Sequence, residues 1–172
     1  MQYNYENEPS YWIRKLNLQK HPEGGYFRES YRSSGIISAG HLPGKYNGDR
    51  NYSTSIYFLL TSDDFSAFHR LKSDEIWHFY YGSSLTLYRI DSEGMLFKTK
   101  MGSNLENAEL FQAHIKAGQW FGAKVNEEES FTLVGCTVAP GFDFSDFELG
   151  SRKELIKLYP RHREVIELLT RK

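Results

Sequence analysis

FSAFHRLKSDEIWHFYYG, residues 65–82, is the stretch whose reading decides the fold. With a period of two, Phe65, Ala67, His69 and Leu71 share one face, and Ser66, Phe68 and Arg70 share the other. A histidine on an otherwise apolar strand face points inward. Lys72, Ser73 and Asp74 make a polar turn, and a second run starts at Glu75 with Trp77, Phe79 and Tyr81 on its face. A hairpin in this register brings the His69 imidazole near the Glu75 carboxylate, in a pocket walled by aromatic rings. Ionisable groups in apolar surroundings are costly unless paired, which makes the two a candidate site.

The runs on either side carry the same signal. STSIYFLLT (53–61), LTLYRID (85–91), MLFKTKM (95–101), LFQAHIKAG (110–118) and FTLVGCTVAP (131–140) are short and separated by polar turns. Close succession of such strands predicts a sandwich or barrel rather than βαβ units. Upstream, YFRESYRS (26–33) alternates as a strand, with Phe27, Glu29 and Tyr31 opposite Tyr26, Arg28 and Ser30. HPEGG (21–25) is a turn, and His21 in it reads as a loop residue rather than a ligand. Residues 34–52, rich in Gly, Asn and Ser, form a long loop, read as a mobile flap or an arm over a partner chain.

Residues 1–9 are a frayed polar lead. Ser10 caps a short N-terminal helix with Trp12, Ile13 and Leu16 on one stripe. At the other end, over 151–170, Ser151 and Glu154 have capping-box spacing ahead of Leu155 and Leu158. Pro160 interrupts, and Val165, Ile166 and Leu169 mark a second helix.

The totals exclude several function classes. With 172 residues, 40% of them apolar, the chain suits one domain with a real core. A formal charge of −1 argues against nucleic-acid binding, which needs a basic surface. No apolar run approaches the roughly 18 residues of a membrane helix, so no membrane partner is expected. One cysteine, Cys136, cannot form an intrachain disulfide and reads as a buried small hydrophobe. The polar, acidic N-terminus does not resemble a signal peptide, and the expectation is a cytoplasmic protein.

His69, Leu71, Glu75 and Gly82 fall at the spacing of the first cupin motif. The blocks 21–33, 53–61, 65–82 and 132–160 together resemble the Cupin_5 (DUF985) group of that superfamily. The resemblance implies a double-stranded β-helix, or jelly roll, as a single cupin domain over 1–172, paired as a homodimer. Metal-binding cupins hold their ion with histidines and a carboxylate. Here His69 and Glu75 stand at two of the four places, while Leu71 and, in KAGQWFGAK (116–124), Phe121 stand at the other two. No cofactor and no tightly bound metal is therefore expected, and a divalent ion would have only His69 and Glu75 as ligands.

PEGGYFRESY is also similar to the substrate-contacting segment of the cupin-type deoxysugar 3,5-epimerases, with Phe27 and Glu29 at the contact places and His69 at the place of the base. Candidate ligand-binding residues are thus Phe27, Arg28, Glu29, Tyr57, Trp77 and Phe79, with His69 and Glu75 as candidate catalytic groups. Arg28 and Arg32 are solvated strand residues able to hold a carboxylate or phosphate. His78 and Tyr80 lie on the other strand face and suit a dimer surface. Three readings of function stay open. The barrel binds a small polar organic or sugar-like molecule; it is a metal-independent epimerase or isomerase with His69 as general base; or it is a filled, storage-like structural cupin.

Overall fold

The computed structural model describes residues 5–172. Its strands are β1 (Gln19–Lys20), β2 (Tyr26–Arg32), β3 (Ile36–Ile37), β4 (Arg50–Asn51), β5 (Thr54–Thr61), β6 (Ser66–Leu71), β7 (Asp74–Gly82), β8 (Leu85–Ile90), β9 (Leu96–Met101), β10 (Gln112–Ile115), β11 (Trp120–Val125), β12 (Phe131–Ala139) and β13 (Phe147–Leu149). Helices α1 (Pro9–Lys15), α2 (Arg152–Leu158) and α3 (Arg163–Leu168) lie at the two ends of the chain. A six-stranded sheet in the order β1-β2-β5-β12-β7-β10 faces a five-stranded sheet in the order β13-β6-β11-β8-β9. Two antiparallel sheets closed over one apolar interior make a jelly roll. Strands β1, β3, β4, β11 and β13 are additions to the runs legible in the sequence.

Residues 65–82 do not form the expected hairpin. β6 pairs with β11 and β13, and β7 pairs with β12 and β10, so the chain crosses from one sheet to the other at Lys72 and Ser73. The reason lies in Phe68, on the second face of β6. It is fully buried with Ile90 and Trp120 against Leu155, Ile166 and Leu169, so the C-terminal helices cover the back of the five-stranded sheet. Ser151 takes the N-cap place of α2 as expected, without a side-chain cap hydrogen bond, and Glu8 rather than Ser10 takes that of α1.

Two bulges reset the alternation. β12 pairs Val134 with Phe79 and Leu133 with Tyr81, leaving Tyr80 as the extra residue. Phe79 therefore faces the interior, while Tyr81 turns out to meet Trp12 of α1, ring centroids 5.0 Å apart. In β2 the register shifts between Glu29 and Tyr31, so Tyr31 is 54% exposed and Arg32 takes the inner side.

The interior is solid at one end, where Leu85, Leu87, Met101, Ala123, Val125 and Val134 are buried together. Gly82 closes β7 there with φ +95, and a Cβ on it would lie 2.2 Å from the Phe131 carbonyl oxygen. Gly82→Ala is expected to cost about 2 kcal/mol, read as a lower urea midpoint at unchanged m-value.

The 34–52 segment is not a free flap. β3 and β4 pair within it, the Tyr46 hydroxyl meets Lys72 O and Ser73 Oγ at 3.0 Å each, and Arg50 is bound to Asp146. Of the frayed lead expected over 1–9, residues 1–4 lie outside the described residues, and Tyr5–Asn7 make a 3₁₀ turn. No helix among the described residues is long and apolar enough to cross a membrane.

Candidate functional site

At the other end of the barrel the two sheets part around a cavity of about 220 Å³. Its wall is mostly apolar and aromatic, with Phe27, Phe58, Trp77, Phe142, Phe144 and Phe147 supplying rings. His69 from β6 and Glu75 from β7 both line it, 3% and 7% exposed respectively. The period-two reading thus put both side chains on the correct face. They come from opposing sheets rather than from neighbouring strands.

The partner of His69 is an acid the sequence reading passed over. His69 Nε2 lies 3.2 Å from Glu23 Oε2, and His69 Nδ1 lies 2.7 Å from the Ala67 carbonyl oxygen. A carbonyl only accepts, so Nδ1 carries the hydrogen and donates it. Burial pushes the His69 pKa down to about 4, opposed by that bond to Ala67, so the ring is neutral and Nε2 is bare. The contact to Glu23 then needs a proton on the carboxyl. Burial holds Glu23 above the usual carboxyl value, opposed by nearby His21 and by the Ser66 hydroxyl, which donates to Oε1 at 2.7 Å. His21 Nδ1 stands 3.3 Å from the same Oε2, and His21 also lines the cavity. Burial lowers its pKa, with Glu23 opposing. His21 Nδ1 accepts from the Glu23 backbone N–H at 3.3 Å, so it offers Oε2 no hydrogen, and the Glu23 carboxyl proton points to His69 alone.

The HPEGG turn supplies His21 and Glu23. Gly24 and Gly25 have φ +119 and +68, and a Cβ on Gly24 would fall 2.1 Å from the Phe65 carbonyl oxygen. Without side chains there, the turn presses onto the start of β6, where Ala67 N donates to Glu23 O at 2.9 Å. An acid between a proline and two glycines was the signal available, and it reads equally as an ordinary surface turn.

Glu75 is held differently. Burial raises its pKa to about 8, nearby Glu23 adds to this, and the Trp77 N–H and Cys136 thiol on its side oppose it. Neither donor closes a bond of normal geometry to the atoms facing it. Glu75 Oε2 and Trp77 Nε1 are both buried and unpartnered among the described residues. At pH 7 Glu75 is thus a neutral acid.

The mouth is braced by Arg32. Its Nε and Nη atoms donate to both Glu29 oxygens at 3.0 and 2.7 Å, to Asn51 Oδ1 at 2.7 Å and to the Phe142 carbonyl at 3.2 Å. Phe144, 55% exposed, stacks on His21 with centroids 6.2 Å apart.

Of the residues expected to contact a ligand, Phe27, Glu29 and Trp77 line the cavity. Phe79 packs into the core beside it. Arg28 and Tyr57 are not brought to it. They are direct partners across β2 and β5 and share the outer face of the sheet, with the guanidinium 5.6 Å from the Tyr57 ring centroid. The alternation that turns Phe27 and Phe58 inward turns both of them out.

The metal-ligand places of the cupin pattern fit poorly here. Leu71 and Phe121 are hydrocarbon and buried, and the Phe121 ring lies 4.0 Å, centroid to centroid, from that of His69. Both His69 nitrogens are engaged within the protein. Among the described residues no group of three or more His, Cys, Asp or Glu side chains is arranged to hold a metal ion.

Solved and curated proteins are similar to this chain. Protein SO0799 from Shewanella oneidensis superposes with a TM-score of 0.87 at 40% identity, covering 99% of both chains. The uncharacterized protein YML079W of Saccharomyces cerevisiae is 31% identical over 143 residues, 78% of this chain and 71% of that protein. Oxalate decarboxylase from Bacillus subtilis aligns with a TM-score of 0.53 at 17% identity, covering 87% of this chain and 36% of that one, a likeness of fold alone. Residues 10–150 match the Cupin_5 model, described as Cupin superfamily (DUF985), and the chain belongs to that family.

Proposed function

We propose that this protein binds a small polar organic molecule, sugar-like in size, in the barrel cavity and without a tightly bound metal. One observation carries the reading: an aromatic cavity of about 220 Å³ is lined by Glu75 and Trp77, whose buried Oε2 and Nε1 have no hydrogen-bond partner among the described residues. Each such group costs about 1–3 kcal/mol, which a ligand with a donor and an acceptor recovers. The cavity also weighs against a filled, storage-like barrel. A metal-independent epimerase or isomerase is the second reading. In its favour stands the contact of the bare His69 Nε2 with the Glu23 carboxyl at the cavity wall, a base and an acid 3.2 Å apart. A cytoplasmic homodimer completes the reading. The outer face of the six-stranded sheet, with Ile76 and Tyr80 exposed, is the surface on which a second copy would sit.

Native mass spectrometry with elemental analysis, on protein purified without chelators, tests this. The expected result is a dimer retaining a small organic adduct, with metal far below one per chain. Stoichiometric iron, manganese, nickel or zinc that survives dialysis and disappears in His69→Ala would overturn it.

A further inference from the structure

The charge balance of the cavity narrows the ligand class, on the reading that the cavity is the ligand site. Four acids line it, Glu23, Glu29, Glu75 and Asp143, against one guanidinium, Arg32. Arg32 spends its donors on Glu29, Asn51 and Phe142. His69 has both nitrogens engaged, and burial keeps it and His21 neutral at pH 7. Among the described residues no cation in the wall is left to meet an anionic ligand.

What remains free is a carboxyl oxygen, Glu75 Oε2. Its strand partners, Ile115 on β10 and Val138 on β12, are apolar. The ionisable groups that share the cavity with it are Cys136 of β12, Glu23 and His21 of the turn, Glu29 and Arg32 of β2, His69 of β6, and Asp143 beyond β12. Aromatic faces attract a cation, and a desolvated carboxylate is its strongest available partner.

We propose that the cavity selects a small organic ammonium, whose nitrogen meets the Glu75 carboxylate inside the aromatic wall. The carboxyl proton of Glu75 leaves for solvent as the cation enters, so one proton departs for each positive charge admitted. The ionised Glu75 then receives N–H from the ligand, with Trp77 N–H and the Cys136 thiol on the same side as further donors. The ligand N–H thereby supplies the partner that Glu75 Oε2 lacks among the described residues.

Calorimetric titration of the full chain with benzylamine, benzyl alcohol and benzoate, in two buffers of different ionisation heat, tests the inference. Benzylamine is expected to bind with release of about one proton below pH 8 and to tighten as pH rises toward that value. Benzyl alcohol is expected to bind at least about tenfold more weakly, and benzoate not measurably. Glu75→Gln is expected to weaken benzylamine roughly 100-fold while leaving benzyl alcohol within about threefold, which also reports an intact cavity. Benzyl alcohol binding as tightly as benzylamine, or benzylamine unaffected by Glu75→Gln, would overturn the ammonium inference and leave the cavity reading standing. Failure of all three probes would overturn both.

Discussion

Glu75→Gln is expected to make the unliganded protein more stable, by about 3 kcal/mol at pH 7, with a gain that depends on pH. Burial raises Glu75 from its usual 4.5 to about 8, so between those values the folded chain keeps a proton that the unfolded chain gives up. Unfolding then releases a proton, and rising pH favours it. The penalty is absent below about pH 4.5, grows by roughly 1.4 kcal/mol per unit through the window, and levels off above about 8. Glutamine keeps the shape and cannot ionise, so it escapes the penalty. Urea unfolding of both proteins across this range should give curves that coincide in acid and diverge toward alkali. Parallel curves would show that Glu75 is ordinarily solvated. A stability cost retained at a cavity wall is what a ligand-binding group carries when its ligand is absent.

Asp146→Ala should act in the opposite direction, lowering stability by about 3–5 kcal/mol. Arg50 and Asp146 are each 5% exposed and joined by two bonds, Nε to Oδ2 at 2.6 Å and Nη2 to Oδ1 at 2.7 Å. Lys72 Nζ approaches the same carboxylate at 3.3 Å. Removing the acid leaves a buried guanidinium without its bonded counter-ion, with only the more distant charge of Asp143 acting on it, whereas the double change Arg50→Met with Asp146→Leu removes both charges of the pair and should recover most of the loss. The pair ties the 34–52 arm to the segment carrying Phe144 and Phe147, so the single variant should also weaken cavity ligands. Thermal melts of the three proteins check this, and a single variant within about 1 kcal/mol of wild type would mean that the arm is not anchored there.

Much of the fold was legible because strand alternation is local. Phe27, Glu29, His69, Leu71, Glu75 and Trp77 all reach the interior that a period of two assigns them. The same regularity misled where one extra residue entered a strand. Tyr80 sent Tyr81 outward, and the shift after Glu29 exposed Tyr31, because a bulge depends on the partner strand and not on the run itself. Residues 34–52 looked loose by composition, yet two hydrogen-bonded anchors hold them. Those anchors lie at positions 72–73 and 146, far along the chain.

The amino-acid sequence by itself determined the family through its motifs, the jelly roll through that resemblance, and the burial of His69 and Glu75 through apolar spacing, which dictates which side chains of a strand leave water. Only the tertiary structure decided whom they meet. Closing one sheet over the other set the two residues on facing walls, and a glycine pair let the HPEGG turn bring Glu23 to His69. Glu75 was left with an oxygen that no described group satisfies. Pairings of that kind join points distant along the chain, and alternation within one strand carries no information about them.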